Sequence, residues 1–233
     1  MGLVINPRGT SGAGKTWLVR EVMAASCRAG AAAMPVCRKG RHRPIAWRFA
    51  PTWRQRPLAV IGHYDAARGG TDTIPQTDGG LDEAFRLARS LATEGHDVLI
   101  EGYQLSGEVE RTTVLAQAQA ARERRLHVLW LDVPLERCVR NVVSRRRAGR
   151  GAYQAIERTV RAGHDALATA CQALRHEGVD IERLDSGAAL HRTLALLGLD
   201  PALLAGPEAR LPVGEPSAFV DQTAWAWRHD VQR

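Results

Sequence analysis

Over the first 200 positions, short continuous apolar runs alternate with stretches of helical periodicity. Leu3-Val4-Ile5 is a brief apolar strand, followed by a Gly-rich turn and a helix from about Lys15 to Cys27. Ile45 to Phe49 and Leu58 to Ile61 are strand-like and flank Pro51-Thr52-Trp53-Arg54, so they are expected to pair as an antiparallel hairpin. Residues 66–80 hold four glycines and Pro75 and read as a loop. From Leu81 to Glu94, Leu81, Phe85, Leu87, Ala88 and Leu91 fall largely on one helical face, with Asp78 as a candidate N-cap. Asp97 to Ile100 reads as a buried strand closing on Glu101, 107–123 as a helix, and Leu126 to Asp132 as the next buried strand. Pro134 opens a helix that becomes basic near its end. A long helix from Tyr153 to His176, a strand from Val179 to Leu184 and a helix over 186–198 complete the pattern.

Continuously apolar strands alternating with helices predict an α/β fold whose parallel sheet is covered on both faces. One domain is expected over 1–200. The remainder, 201–233, is punctuated by Pro201, Pro207, Pro212 and Pro216, carries Trp225 and Trp227, and reads as a tail laid over that domain.

Composition narrows the class. The 233 residues are 45% hydrophobic and 24% charged, which excludes wholesale disorder. No apolar run reaches the length of a membrane span or resembles a signal-peptide core, so a soluble cytoplasmic protein with no membrane partner is expected. Cys27, Cys37, Cys138 and Cys171 are far apart with no C-x-x-C pair, and are expected as reduced thiols. The net charge is +7 and the pI about 9.9. All basic residues except Lys15 and Lys39 are arginines, a preference that a GC-rich genome would write. The excess of positive charge, by contrast, favours a polyanionic or phosphate-rich partner.

Gly9-Thr10-Ser11-Gly12-Ala13-Gly14-Lys15-Thr16 satisfies G-x-x-x-x-G-K-[ST] between a strand and a helix, the context this phosphate-binding loop requires. Backbone N–H groups from Gly9, Ser11, Gly12, Ala13 and Gly14 can turn inward around phosphates, where the helix N-terminus adds its dipole. Lys15 would reach the β- and γ-phosphates of ATP, and the Thr16 hydroxyl would ligate Mg²⁺. Between 137 and 150 six arginines lie within 14 residues, in the position of a kinase lid at about 137–152. Arg140 and Arg147 are spaced two turns apart on one helix face, with Arg145 and Arg146 pointing elsewhere. Arg145 is the candidate clamp on the transferred phosphate, Arg140 a candidate nucleotide contact. No N-K-x-D guanine-reading motif is present, which argues against a GTPase.

Phosphoryl transfer to a hydroxyl needs an acid to hold Mg²⁺ and a carboxylate to take the acceptor's proton. Glu101, at a strand end ahead of Gly102, suits the first role. For the second, Asp72 and Asp65 both qualify, with Asp72 favoured because it follows Gly69-Gly70, where the backbone can bend closely. His63, Tyr64, Arg68, Gly69 and Gly70 around them are candidate substrate contacts. In a basic hairpin over about 38–62, Arg38, Lys39, Arg41, Arg43, Arg48, Arg54 and Arg56 interleave with Trp47, Phe49 and Trp53. Basic groups in such a pattern track nucleic-acid phosphates while aromatics stack on bases; Trp47 and Trp53 are the candidate stackers. The same stretch also fits an amphipathic hairpin with its tryptophans in the core.

Arg8 to Thr16, Ile61-Gly62-His63-Tyr64-Asp65 with Gly69-Gly70-Thr71-Asp72-Thr73, Leu99-Ile100-Glu101-Gly102 and the 132–147 lid together resemble a set of bacteriophage P-loop kinases. The set is similar to, and includes, the 5-hydroxymethyluracil-DNA kinases, and the resemblance covers about residues 1–150. It implies a P-loop NTPase fold of nucleotide-kinase type, ATP and Mg²⁺ as cofactors, and transfer to the base hydroxymethyl group within phage DNA. This chain departs from the set in having Ala67, Arg68 and Thr71 where a cysteine-bearing segment surrounds the paired glycines. Three activities stand open on the sequence: a kinase of modified pyrimidines in DNA, a kinase of nucleosides, nucleotides or antibiotics, and an ATPase without an acceptor.

Overall fold

The computed structural model describes residues 2–38, 40, 42–50, 56–64 and 69–205. The elements run β1 (Val4–Arg8), α1 (Lys15–Arg28), β2 (Ala32–Cys37), β3 (Pro44–Ala50), β4 (Leu58–Ile61), α2 (Gly80–Thr93) and β5 (Asp97–Ile100). They continue with α3 (Tyr103–Ser106), α4 (Glu110–Ala120), β6 (Leu126–Leu131), α5 (Leu135–Arg146), α6 (Tyr153–His176), β7 (Ile181–Leu184) and α7 (Ser186–Leu197). Among the described residues the strands form one seven-stranded sheet in the order β2-β3-β4-β5-β1-β6-β7.

From β4 to β7 every neighbouring pair is parallel. The central strands β1, β5 and β6 are buried almost throughout, and this is why they read as continuous apolar runs. One face is packed by Leu18 and Val22 of α1, Val139 of α5 and Leu190 and Leu194 of α7; the other by Ala88 and Leu91 of α2 and Leu115 of α4. The α/β sheet covered on both sides is therefore as expected. No helix among the described residues is long and apolar enough to cross a membrane. All four cysteines are free thiols.

The strands β3 and β4 do pair antiparallel, with Trp47 opposite Val60. They are not a separate insertion, however. They continue the parallel sheet, and β2 adds an antiparallel outer strand beyond them. The sequence reading missed β2 because Ala32-Ala33-Met34-Pro35-Val36-Cys37 mixes small residues with a proline. An edge strand tolerates proline, since one side of its backbone has no ladder to complete.

Two helix boundaries also differ. Asp78 does not cap α2: the N-cap position is Gly79, without a side-chain cap, and Asp78 is buried in a 3-10 turn 4.0 Å from Arg38. The helix expected over 107–123 is the shorter α4, Glu110–Ala120, and a brief α3 that the sequence reading did not include precedes it, with Gly107 as its C-cap. Of the expected tail, 201–205 form a 3-10 turn whose Leu203 carbonyl accepts from Arg28 Nε; positions 206–233, with Trp225 and Trp227, lie outside the described residues.

Candidate active site

Parallel strands deliver their carboxyl ends to one edge of the sheet. At that edge the loop after β1, the turn after β4, and Glu101 after β5 meet. Gly12 and Gly14 sit at φ 86° and 92°, a conformation glycine adopts without steric cost. At Gly12 a Cβ would also lie 2.2 Å from the Cys138 carbonyl oxygen, so only glycine lets the loop pass beneath α5.

Lys15 is buried, and its Nζ donates to the carbonyls of Gly9 (2.5 Å) and Thr10 (3.3 Å). Burial lowers the pKa of this ammonium; the charges of Glu101 and Asp72 oppose that shift, and Arg145 adds to it. Arg145 is thus the lid arginine whose charge is felt at Lys15. The Thr16 hydroxyl donates to Glu101 Oε1 at 3.1 Å. Glu101 is 1% exposed, and its pKa is raised chiefly by burial, against the pull of Lys15 and hydrogen bonds from Thr16 and Tyr64.

Asp72 stands at the exposed rim. Its Oδ2 accepts from the Tyr103 N–H at 2.5 Å and its Oδ1 from the Gln104 N–H at 3.2 Å, so it covers orphan donors at the start of α3 from a different loop. Its charge reaches Lys15, Glu101 and Tyr64. The paired glycines serve this assembly. Gly70, at φ 81°, brings its backbone so close to Glu101 that a Cβ would lie 2.4 Å from the Glu101 carbonyl and 2.7 Å from Oε1. Gly69 is pressed in the same way against Thr16 and Tyr64.

Several expected substrate contacts are therefore placed otherwise. Tyr64 is 1% exposed and hydrogen-bonds Glu101, so it supports the acid from within and does not face a substrate. Gly69 is packed against Thr16 and Tyr64, and Gly70 against Glu101. His63 is buried, with its backbone N–H on Thr73 Oγ1. Trp47 is 6% exposed and packs in the core with Phe49, Leu58 and Tyr64, so it is not available as a surface stacker. Asp65, Arg68 and Trp53 lie outside the described residues.

Two of the hairpin's described arginines, Arg38 and Arg56, lie near acids of neighbouring elements. Arg38 pairs with Glu83 at 2.8 Å, Arg48 donates to His96 Nε2 at 3.1 Å from its Nε, and Arg56 lies 3.9 Å from Asp97. Lys39, Arg41 and Arg54 lie outside the described residues.

In the lid, Asn141 Nδ2 donates to the Gly12 carbonyl at 2.9 Å and so marks the side of α5 that faces the loop. Arg145, one turn on, lies on that side. Arg140, one residue back, is turned by about 100° from Asn141 on an α-helix and is exposed. Arg147 does not share a helix face with Arg140, because α5 ends at Arg146 and Arg147 is its left-handed C-cap at φ 50°.

Other supports were missed in the sequence. Arg8 is fully buried at the end of β1, donating to Asn6 Oδ1 (2.8 Å), the Ser106 carbonyl (3.3 Å) and Thr112 Oγ1 (2.5 Å), and burial brings its pKa down to about 10. Ser106 in turn donates to the Gly9 carbonyl at 3.1 Å, tying α3 to the first residue of the loop. Ser186 holds the other flank through the Ala13 carbonyl at 3.2 Å. The signal for Arg8 was a cation ending an otherwise apolar strand, which needs internal partners if it is buried.

A mostly parallel sheet with a glycine loop, a buried lysine and an acid gathered at one edge of it defines an α/β protein of kinase-like build. No protein-family model matches the chain. A protein named 5-hmdU DNA kinase from Pseudomonas phage PaMx11 is 34% identical over 196 residues, spanning 83% of this chain and 96% of the relative. A second of that name, from Pseudomonas phage M6, is 30% identical over 151 residues, 60% of this chain and 71% of the relative. The chain belongs to the phage 5-hmdU DNA kinase family.

Proposed function

We propose that this protein transfers the γ-phosphate of ATP to the hydroxymethyl oxygen of 5-hydroxymethyluracil in DNA, in the cytoplasm of the infected host. The observation that carries the reading is the convergence of Lys15, Thr16, Glu101 and Asp72 at one sheet edge, coupled through the 3.1 Å Thr16–Glu101 hydrogen bond. Family membership supports the acceptor.

The glycine loop and the first turn of α1 suit a P-loop that cradles the phosphates, as in P-loop NTPases. The donor set fits Mg²⁺: a hydroxyl and a carboxylate, both hard oxygens, with the carboxylate held buried and already bonded to the hydroxyl. When bound, Mg²⁺ would neutralise charge on the phosphates, with Thr16 as ligand and Glu101 holding its waters. Lys15 leaves its carbonyl partners to meet the transferred phosphate, and Arg145 approaches from α5. Asp72 has about two of its four acceptor positions in use on α3, which leaves room to take the hydroxymethyl proton. The acceptor oxygen then forms the new bond to phosphorus as the bond to the β-phosphate oxygen breaks.

The test is a panel of acceptors with γ-labelled ATP. Label should enter DNA containing 5-hydroxymethyluracil and not unmodified DNA, with Lys15→Ala inactive. Label entering only free nucleosides or nucleotides would overturn the DNA acceptor, and ATP hydrolysis indifferent to every acceptor would overturn the kinase.

A further inference from the structure

A base phosphorylated within DNA must leave its stack before its hydroxymethyl group can approach a phosphate, and extrusion forfeits the stacking on both its faces. Enzymes that flip a base offset that loss with an aromatic surface at the mouth of the pocket. Trp47, the candidate stacker among the described residues, is buried at 6% exposure, and Tyr64, a candidate substrate contact, at 1%.

The large aromatic side chains exposed among the described residues are Trp17, Tyr103 and Tyr153. Trp17 is on the flank of the loop next to α7: a Cβ on Gly14 would lie 3.6 Å from Ser186 Oγ and 4.0 Å from Trp17 Cε3. Tyr153 opens α6 ten residues before Gly163, about 15 Å away along the helix. Tyr103 follows Glu101-Gly102 at the carboxyl end of β5, between β4 and β1 in the sheet, and its own N–H holds Asp72. It is 45% exposed. Its ring edge lies against Gly163 of α6, where a Cβ would be 3.4 Å from Tyr103 Oη and 3.5 Å from Cε2. The ring thus lies at ordinary contact distance from position 163, beside Thr10 of the loop, whose Oγ1 would lie 3.0 Å from the same Cβ.

We infer that Tyr103 is the platform on which the extruded 5-hydroxymethyluracil stacks, so that the carboxylate anchored by its backbone meets the hydroxymethyl group. The inference rests on the DNA-kinase reading and specifies how that site receives its base. Because Asp72 is held by the backbone of residue 103, replacing the side chain leaves that anchor in place and isolates the ring.

The experiment compares wild type with Tyr103→Ala, Tyr103→Phe and Tyr103→Trp, measuring kcat and KM for a duplex bearing one 5-hydroxymethyluracil, and KM for ATP. Base–aromatic stacking is strong enough that Tyr103→Ala should raise the DNA KM about ten-fold or more. The ATP KM should stay unchanged, and Phe and Trp should restore the DNA KM because each supplies a π face. A DNA KM unchanged in Tyr103→Ala, a Phe variant as impaired as Ala, or an equal rise in the ATP KM would each overturn the inference. Wild type that labels no DNA would instead overturn the reading on which it rests.

Discussion

Thr16 and Glu101, 85 residues apart in the chain, are joined by a 3.1 Å hydrogen bond from hydroxyl to carboxylate. The pairing follows from the sheet: β1 and β5 are parallel neighbours, so the helix entered from one and the residue ending the other share an edge. Gly70 packs its bare backbone against the same carboxylate and leaves it no freedom to swing away.

That arrangement makes the magnesium requirement the sensitive readout of both residues. Thr16→Ala and Glu101→Gln should each lower kcat and raise the Mg²⁺ concentration for half-maximal transfer, by about 10- to 100-fold for Glu101, which would hold the ion through its waters, and by no less for Thr16. Titrating MgCl₂ at saturating ATP and DNA tests this. An unchanged Mg²⁺ requirement in Glu101→Gln would remove the acid from that role.

Asp72 anchors α3 through both its oxygens and, in the proposed mechanism, also takes the acceptor's proton. Asp72→Asn keeps an acceptor for only one of the Tyr103 and Gln104 N–H groups and loses the base, so kcat should fall about 10²- to 10⁴-fold. ATP affinity should hold. Turnover that persists in this variant transfers the role to Asp65.

Arg38 was read in the sequence as a DNA contact, yet it lies on Glu83 together with Arg86. Burial pushes the Glu83 carboxyl up, but hydrogen bonds from Arg86 and Arg38 outweigh it and hold the pKa below the usual value. The ionised form is therefore the one favoured by folding. Its stabilisation is complete above the unfolded pKa, near 4.3, and is lost as pH falls through the lower folded value. Glu83→Gln should cost about 1–2 kcal/mol at pH 7 and converge with wild type in acid, in denaturant titrations across pH. Arg38→Ala should lose stability without losing DNA affinity by fluorescence anisotropy.

Trp47 gives the matching result in the core. Trp47→Ala should destabilise by about 3–5 kcal/mol, as for a large buried aromatic. Its indole N–H has no acceptor among the described residues, so Trp47→Phe removes a buried unsatisfied donor and should cost much less. Transfer to DNA by the folded Phe variant at the wild-type rate would separate this side chain from base stacking; a selective rise in its DNA KM would return it to the interface.

What was legible in the sequence was what neighbouring residues decide among themselves. The glycine loop is such a case: its glycines, Lys15 and Thr16 occupy one short stretch between a strand and a helix, and their geometry is local. The order of strands and helices was legible for the same reason, because burial on both faces writes an unbroken apolar run. The antiparallel pairing of β3 with β4 followed from two such runs close together.

Tertiary structure decided which side chains meet across the sheet. Sequence separation carries no signal that Asp72 will hold the Tyr103 backbone, that Glu83 will absorb Arg38, or that Tyr64 will turn inward to Glu101. An arginine or a tryptophan in a basic hairpin looks the same whether it faces solvent or a partner contributed by a distant helix. The sequence by itself determined the glycine loop between its strand and helix and the α/β frame, since short-range pattern suffices for both. The fold determined that Arg38 and Arg56 lie near acids and that Trp47 and Tyr64 are buried while Tyr103 is exposed, because burial depends on contacts between residues far apart in the chain.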